Sequence, residues 1–166
     1  MRSLFDTTVS TATFSSCRRY RYTLTRTWDH DIKPVNFLML NPSTADEEVN
    51  DPTVERCERR ARSWGYGGLI VTNIFAWRDT DPELMKAQDD PIGPDNDVAI
   101  LESARRAGLV VCAWGNHGEH MGRGAAVREM LRGLPLHYLK ISKSTGQPWH
   151  PLYIGYSVKP TTWEFP

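Results

Sequence analysis

Three short apolar runs constrain this chain more than any other feature: Val35–Leu40 (VNFLML), Gly68–Asn73 (GLIVTN) and Leu109–Gly115 (LVVCAWG). Each is too short for a buried helix and ends on turn-forming residues, so each reads as a buried strand. The segments between them carry helix signals. Asp51-Pro52 supplies an N-cap and a first-turn proline for a helix running through Trp64 to a stop at Gly65. Asp81-Pro82 opens a short helix to about Gln88, Asp95–Ala107 forms another that halts at Gly108, and a further helix spans Gly124–Arg132. The stretches Leu136–Ser142 (LHYLKIS) and Gly146–Ser157 (GQPWHPLYIGYS) follow. Strands that alternate with helices and are apolar throughout imply a parallel sheet covered on both faces. The expected fold is α/β, three layers (α/β/α) around a mainly parallel central sheet.

Tyr20, Tyr22 and Leu24, separated by Arg and Thr, have the period of a strand at an antiparallel edge. Residues 1–16, rich in Ser and Thr, read as a partly ordered lead-in, and residues 17–166 as one α/β domain. Glycines 65, 67 and 68 precede a strand instead of following one, which is the context of a turn and not of a phosphate cradle.

Charge excludes one class of behaviour. Twenty Lys and Arg balance twenty Asp and Glu, so the net field will not hold the protein on nucleic acid or an anionic membrane, and such binding requires a local patch. Two arginine clusters, Arg18/Arg19/Arg21/Arg26 and Arg56/Arg59/Arg60/Arg62, read as solvated faces with mixed ion pairs. Cys17, Cys57 and Cys112 are far apart, which fits a reducing compartment without disulfide or iron–sulfur chemistry. No apolar run is long enough to span a bilayer, and the expected location is the cytoplasm, away from membrane. His117 and His120 lack the matching Cys or carboxylate partners of a metal site and read as surface histidines.

In an open parallel sheet, ligands bind beyond the carboxyl ends of the strands. Asn41-Pro42-Ser43, Asn73, Trp114-Gly115 and His150 are therefore expected to converge along one edge. In order, Asn41-Pro42-Ser43, Asn73-Ile74-Phe75, Ala113-Trp114-Gly115 and His150-Pro151-Leu152 resemble the motif series of the uracil-DNA glycosylase superfamily. The longer segments MLNPSTAD, GYGGLIVTNIFAWRDTDP, DPIGPDN, AWGNHG and TGQPWHPLY resemble the bacterial and phage family of domain of unknown function 1643, which supplies no activity.

The glycosylase resemblance implies a uracil-DNA glycosylase-like fold and a nucleobase-recognising N-glycosidase with no metal or redox cofactor, acting on DNA or a nucleotide. Cleaving an N-glycosidic bond needs an oriented water, a donor toward the leaving base and fixed dipoles in a dry pocket. By resemblance Asn41 positions the water, Asn73 reads the base edge and His150 donates toward the base or a phosphate. An amide orients water but takes no proton at neutral pH, which leaves Asp46 and Asp51 as the nearest candidate bases, with Asp51 first read as a helix cap. Phe75 and Trp77 are candidates to stack on the base, and Arg78 to hold a phosphate. Pro42, Ser43, Trp114, Gly115, Leu152 and Tyr153 complete the expected walls.

The chain departs from the glycosylase pattern at Met39, where a glycine is usual, at Ser43 after the proline, and at Leu152 after His-Pro. These changes alter the pocket mouth and so the substrate. Two rivals follow: an enzyme acting on small modified nucleotides, which predicts a closed neutral pocket, and a catalytically silent nucleobase-binding module. The glycosylase reading predicts instead a concave pocket bordered by a basic strip.

Overall fold

The computed structural model describes residues 7–166. Seven strands form one sheet: β1 (Val9–Phe14), β2 (Arg21–Thr27), β3 (Pro34–Met39), β4 (Gly68–Asn73), β5 (Leu109–Cys112), β6 (Leu136–Tyr138) and β7 (Thr161–Thr162), in the spatial order β1-β2-β4-β3-β5-β6-β7. Four helices accompany them: α1 (Pro52–Ser63), α2 (Pro82–Lys86), α3 (Asn96–Arg106) and α4 (Arg123–Met130).

The sheet is mixed, which corrects the expectation of a mainly parallel one. β4, β3, β5 and β6 run parallel at the centre, whereas β1 on β2, β2 on β4 and β7 on β6 are antiparallel. The three apolar runs are the three innermost parallel strands, as their lack of alternation requires. β2 alternates in sequence but is not an edge, because β1 pairs along its outer side. The expected lead-in thus contains a strand at residues 9–14, while its first six residues lie outside those described.

Side chains alternate between two cores. Val35, Phe37 and Met39 of β3 pack with Val54, Cys57 and Ala61 of α1, while Leu38 and Leu40 pack with Met85, Ile100 and Val127 from α2, α3 and α4. The helix starts are locally encoded: Asp51 Oδ1 accepts the Val54 N–H at 2.8 Å and Asp81 Oδ1 the Glu83 N–H at 2.9 Å, each with proline next. Among the described residues no helix is long and apolar enough to cross a membrane.

Burial also corrects the arginine reading. Arg21, Arg26 and Arg60 are not on solvated faces but are buried to 3%, 0% and 1% exposure. Arg21 Nη1 donates to the Ala45 carbonyl at 2.9 Å and Arg26 Nη2 to the Asp46 carbonyl at 2.6 Å, so both hold the loop that follows β3.

Because Phe37 lies at the middle of the central strand with no exposure, Phe37→Ala should cost about 3–5 kcal/mol of unfolding free energy. Glu102→Ala, on the exposed face of α3, should stay within about 0.5 kcal/mol. Urea unfolding measures both, and equal losses would contradict this placement of the core.

Candidate functional site

The parallel register sets the site. Met39 lies opposite Asn73 and Leu38 opposite Cys112, so β3, β4 and β5 end level with one another. Beyond those ends is a cleft of about 640 Å³. Asn41, Pro42, Ser43, Asn73, Trp114, Gly115, His150, Leu152 and Tyr153, all expected from sequence, line it.

Four expected residues do not. Asp46 is fixed in an Asx turn, its Oδ1 accepting the Glu48 and Val49 N–H groups at 2.8 Å each. Those backbone bonds hold its carboxyl below the usual range. Phe75 is fully buried in the second core, because the chain continues the ladder past Asn73 through the bond from Phe75 N–H to the Leu40 carbonyl at 2.9 Å. Trp77 packs edge-on against Tyr20. Arg78 donates to the Arg18 carbonyl and lies over Phe14.

The polar groups lining the cleft have fixed polarity. Asn41 donates from Nδ2 to the carbonyls of Asp79 at 2.8 Å and Pro42 at 3.3 Å, while the Asp79 N–H returns a bond to the Pro42 carbonyl at 2.9 Å. This pins the loops after β3 and β4 together and leaves Asn41 Oδ1 as the acceptor. Asn73 is oriented the opposite way: its Oδ1 accepts from Arg21 Nη2 at 3.4 Å, which leaves Nδ2 as a donor without a partner among the described residues. The backbone carbonyl of Asn73 is held by Asn96 Nδ2 at 2.8 Å.

His150 caps a 3-10 turn, Pro151–Tyr153, with its Nδ1 accepting the Leu152 N–H at 3.3 Å. The ring proton therefore resides on Nε2. Desolvation lowers the imidazole to about 4, against the attraction of Asp51, so the ring is neutral at physiological pH. Burial also lowers the Arg21 guanidinium, to about 10, which still leaves a cation behind Asn73.

The Trp-Gly motif shapes the wall. Trp114 is buried and donates from Nε1 to Gln147 Oε1 at 2.6 Å. A Cβ at Gly118 would lie 2.0 Å from Trp114 Cδ1, so the following loop presses flat on the indole. Gly115 has φ +74° and ψ −175°, a backbone that requires glycine, and its N–H donates to the Pro148 carbonyl at 2.7 Å, tying this wall to the strand of chain before His150.

A family model described as protein of unknown function (DUF1643) matches residues 21–152. The chain belongs to this family. No curated protein and no solved structure matches it. The region shared with the DUF1643 family begins at Arg21 and ends at Leu152, and so takes in every residue of the cleft except Tyr153.

Several cleft residues of this DUF1643 protein were not singled out by sequence: Arg21, Thr53, Asp79, Asn116 and Trp149. Arg21 opens β2, and because β2 runs antiparallel to β4 its first residue falls at the carboxyl edge of the parallel strands. Strand direction leaves no mark in composition. Asp79 and Asp51 supply the carboxylates of the cleft; each has one oxygen committed to a backbone N–H, of Asp81 and Val54 respectively. His117 lines the cleft and His120 tilts against Phe75.

The depressed His150 has a stability consequence. Above pH about 6.5 the ring is neutral in both folded and unfolded chains; as pH falls toward about 4 only the unfolded chain takes the proton. Stability is thus lost across that window, by at most about 3 kcal/mol. The stability difference between wild type and His150→Asn, measured by urea unfolding at a series of pH values, should be flat above pH about 6.5 and move in the variant's favour below it. A difference independent of pH would show that the ring titrates normally.

Proposed function

We propose that the cleft is a nucleobase site in which an N-glycosidic bond is hydrolysed, and that the chain adopts a three-layer, uracil-DNA glycosylase-like arrangement. The observation that carries this reading is that Asn41, Asn73 and His150 line one cleft with complementary polarity: an acceptor at Asn41 Oδ1, donors at Asn73 Nδ2 and His150 Nε2. Hydrolysis needs this set, since a water must be held against the sugar while charge developing on the departing base is met by fixed donors.

In the proposed step, Asn41 Oδ1 accepts from a water whose oxygen attacks the anomeric carbon. The carbon–nitrogen bond breaks with its electron pair going to the base. The water proton passes to a cleft carboxylate, for which Asp51 replaces Asp46, and the base is stabilised by hydrogen bonds from Nε2 of His150 and Nδ2 of Asn73. A neutral imidazole serves as donor here without first needing to be charged. The family match covers the cleft without naming an activity, and Met39 and Leu152 place larger side chains at the pocket wall than the glycine and serine usual in the glycosylase pattern.

The test is release of free base, followed by mass spectrometry, from single- and double-stranded oligonucleotides and free nucleotides carrying modified and deaminated bases. Asn41→Ala and Asp51→Asn should each reduce release by about 100-fold or more. Asn caps a helix about as well as Asp, so Asp51→Asn separates chemistry from folding. Absence of release across the panel would overturn the enzyme reading.

A further inference from the structure

We infer that the outer end of α1 and the segment after the His150 turn form an anchor for a single nucleic-acid strand that leads into the cleft. The inference rests on the nucleobase reading for what the strand delivers, and it assigns the substrate to polymer over free nucleotide.

The guanidinium carbons of Arg56, Arg59 and Arg60 lie 4.8, 4.3 and 4.9 Å from the centre of one ring, that of Tyr156. None of the three is ion-paired among the described residues, whereas Arg62 on the same helix has Glu58 at 3.9 Å and Trp28 beneath it. Glu55, the other acid of this helix, instead accepts from Asn50 Nδ2. Arg60 is the buried member, its Nη2 donating to the Ile154 carbonyl at 2.5 Å and the Gly155 carbonyl at 3.3 Å. Arg56 adds a bond to the same Ile154 carbonyl at 3.2 Å. These carbonyls satisfy some N–H groups but neutralise no charge. Nε of Arg56 and both Nε and Nη1 of Arg60 have no hydrogen-bond partner among the described residues. Three like charges share one aromatic ring without a counter-ion among the described residues, in a protein whose net charge is zero.

Position and chemistry select the ligand. Thr53 and Val54, within one helical turn before Arg56, line the cleft, as do Leu152 and Tyr153 just before Ile154. Tyr153 is 78% exposed beside His150, and Arg59 is exposed next to Tyr156. The exposed Arg59 offers donors to a phosphate oxygen and the exposed Tyr153 a face on which a base stacks, a combination that suits a single strand. An acidic peptide would use the charge but leave the rings unused.

The experiment measures binding of the full protein to a labelled oligothymidylate by fluorescence anisotropy across a sodium chloride series. Wild type should bind with a negative dependence of log affinity on log salt. Arg59→Glu should make that slope shallower by about 0.7 or more, the share of one phosphate contact on a single strand, and weaken binding roughly ten-fold at low salt. Arg62→Ala, also on α1 but engaged elsewhere, should leave slope and affinity unchanged. An unchanged slope in Arg59→Glu, equal competition by polyglutamate of matched charge, or absence of strand binding would each overturn the anchor. Strand binding that depends on Arg59 without base release would retain the anchor and remove the enzyme reading; base release from free nucleotides without such binding would do the reverse.

Discussion

The in-register pairing of β3 with β4 on one side and β5 on the other is the constraint from which the rest of the structure follows. Because Met39 faces Asn73 and Leu38 faces Cys112, the three strands end at one level and their following loops share one edge. A two-residue slip in either pairing would displace one loop by roughly 7 Å, and Asn41, Asn73 and Gly115 would no longer line a common cleft. The same pairing buries the faces of β3 alternately in the two cores, so the register is held by Phe37 and Met39 below and Leu38 and Leu40 above as much as by the ladder itself.

Within that frame, polarity is imposed by neighbours that do not themselves carry the proposed chemistry. Two carboxamides of the same residue type face the cleft with opposite character: backbone carbonyls hold the amide nitrogen of Asn41, and a buried guanidinium holds the amide oxygen of Asn73. The Leu152 N–H does the equivalent for His150, fixing its tautomer, while burial keeps it neutral. A free carboxamide or imidazole would have to be ordered by the ligand at the cost of binding free energy. Here the fold orders them beforehand, which is the condition for electrostatic preorganisation.

The arginines illustrate how one residue type takes three roles. Arg21 and Arg26 secure the loop after β3 through its carbonyls. Arg60 secures the chain after the His150 turn in the same manner. Arg59 remains exposed over Tyr156. A carbonyl-bonded arginine keeps its charge, so the interior holds cations close to the cleft even though the chain as a whole is neutral.

By itself the sequence determined the strand and helix alternation, the capped starts of α1 and α2 and the strand-end asparagines, because these depend on local periodicity and on side chains that bond their own backbone. Asn41 and Asn73 were legible as strand-end residues for that reason, and His150 through the resemblance carried by its His-Pro loop. The tertiary structure alone decided that Phe75 turns into the core, that β1 and β2 flank the sheet antiparallel, and that Arg21 stands at the cleft. Those outcomes depend on strand direction and pairing. The burial of Arg60 depends on a segment 94 residues further along the chain, and no local pattern records a contact made across that distance.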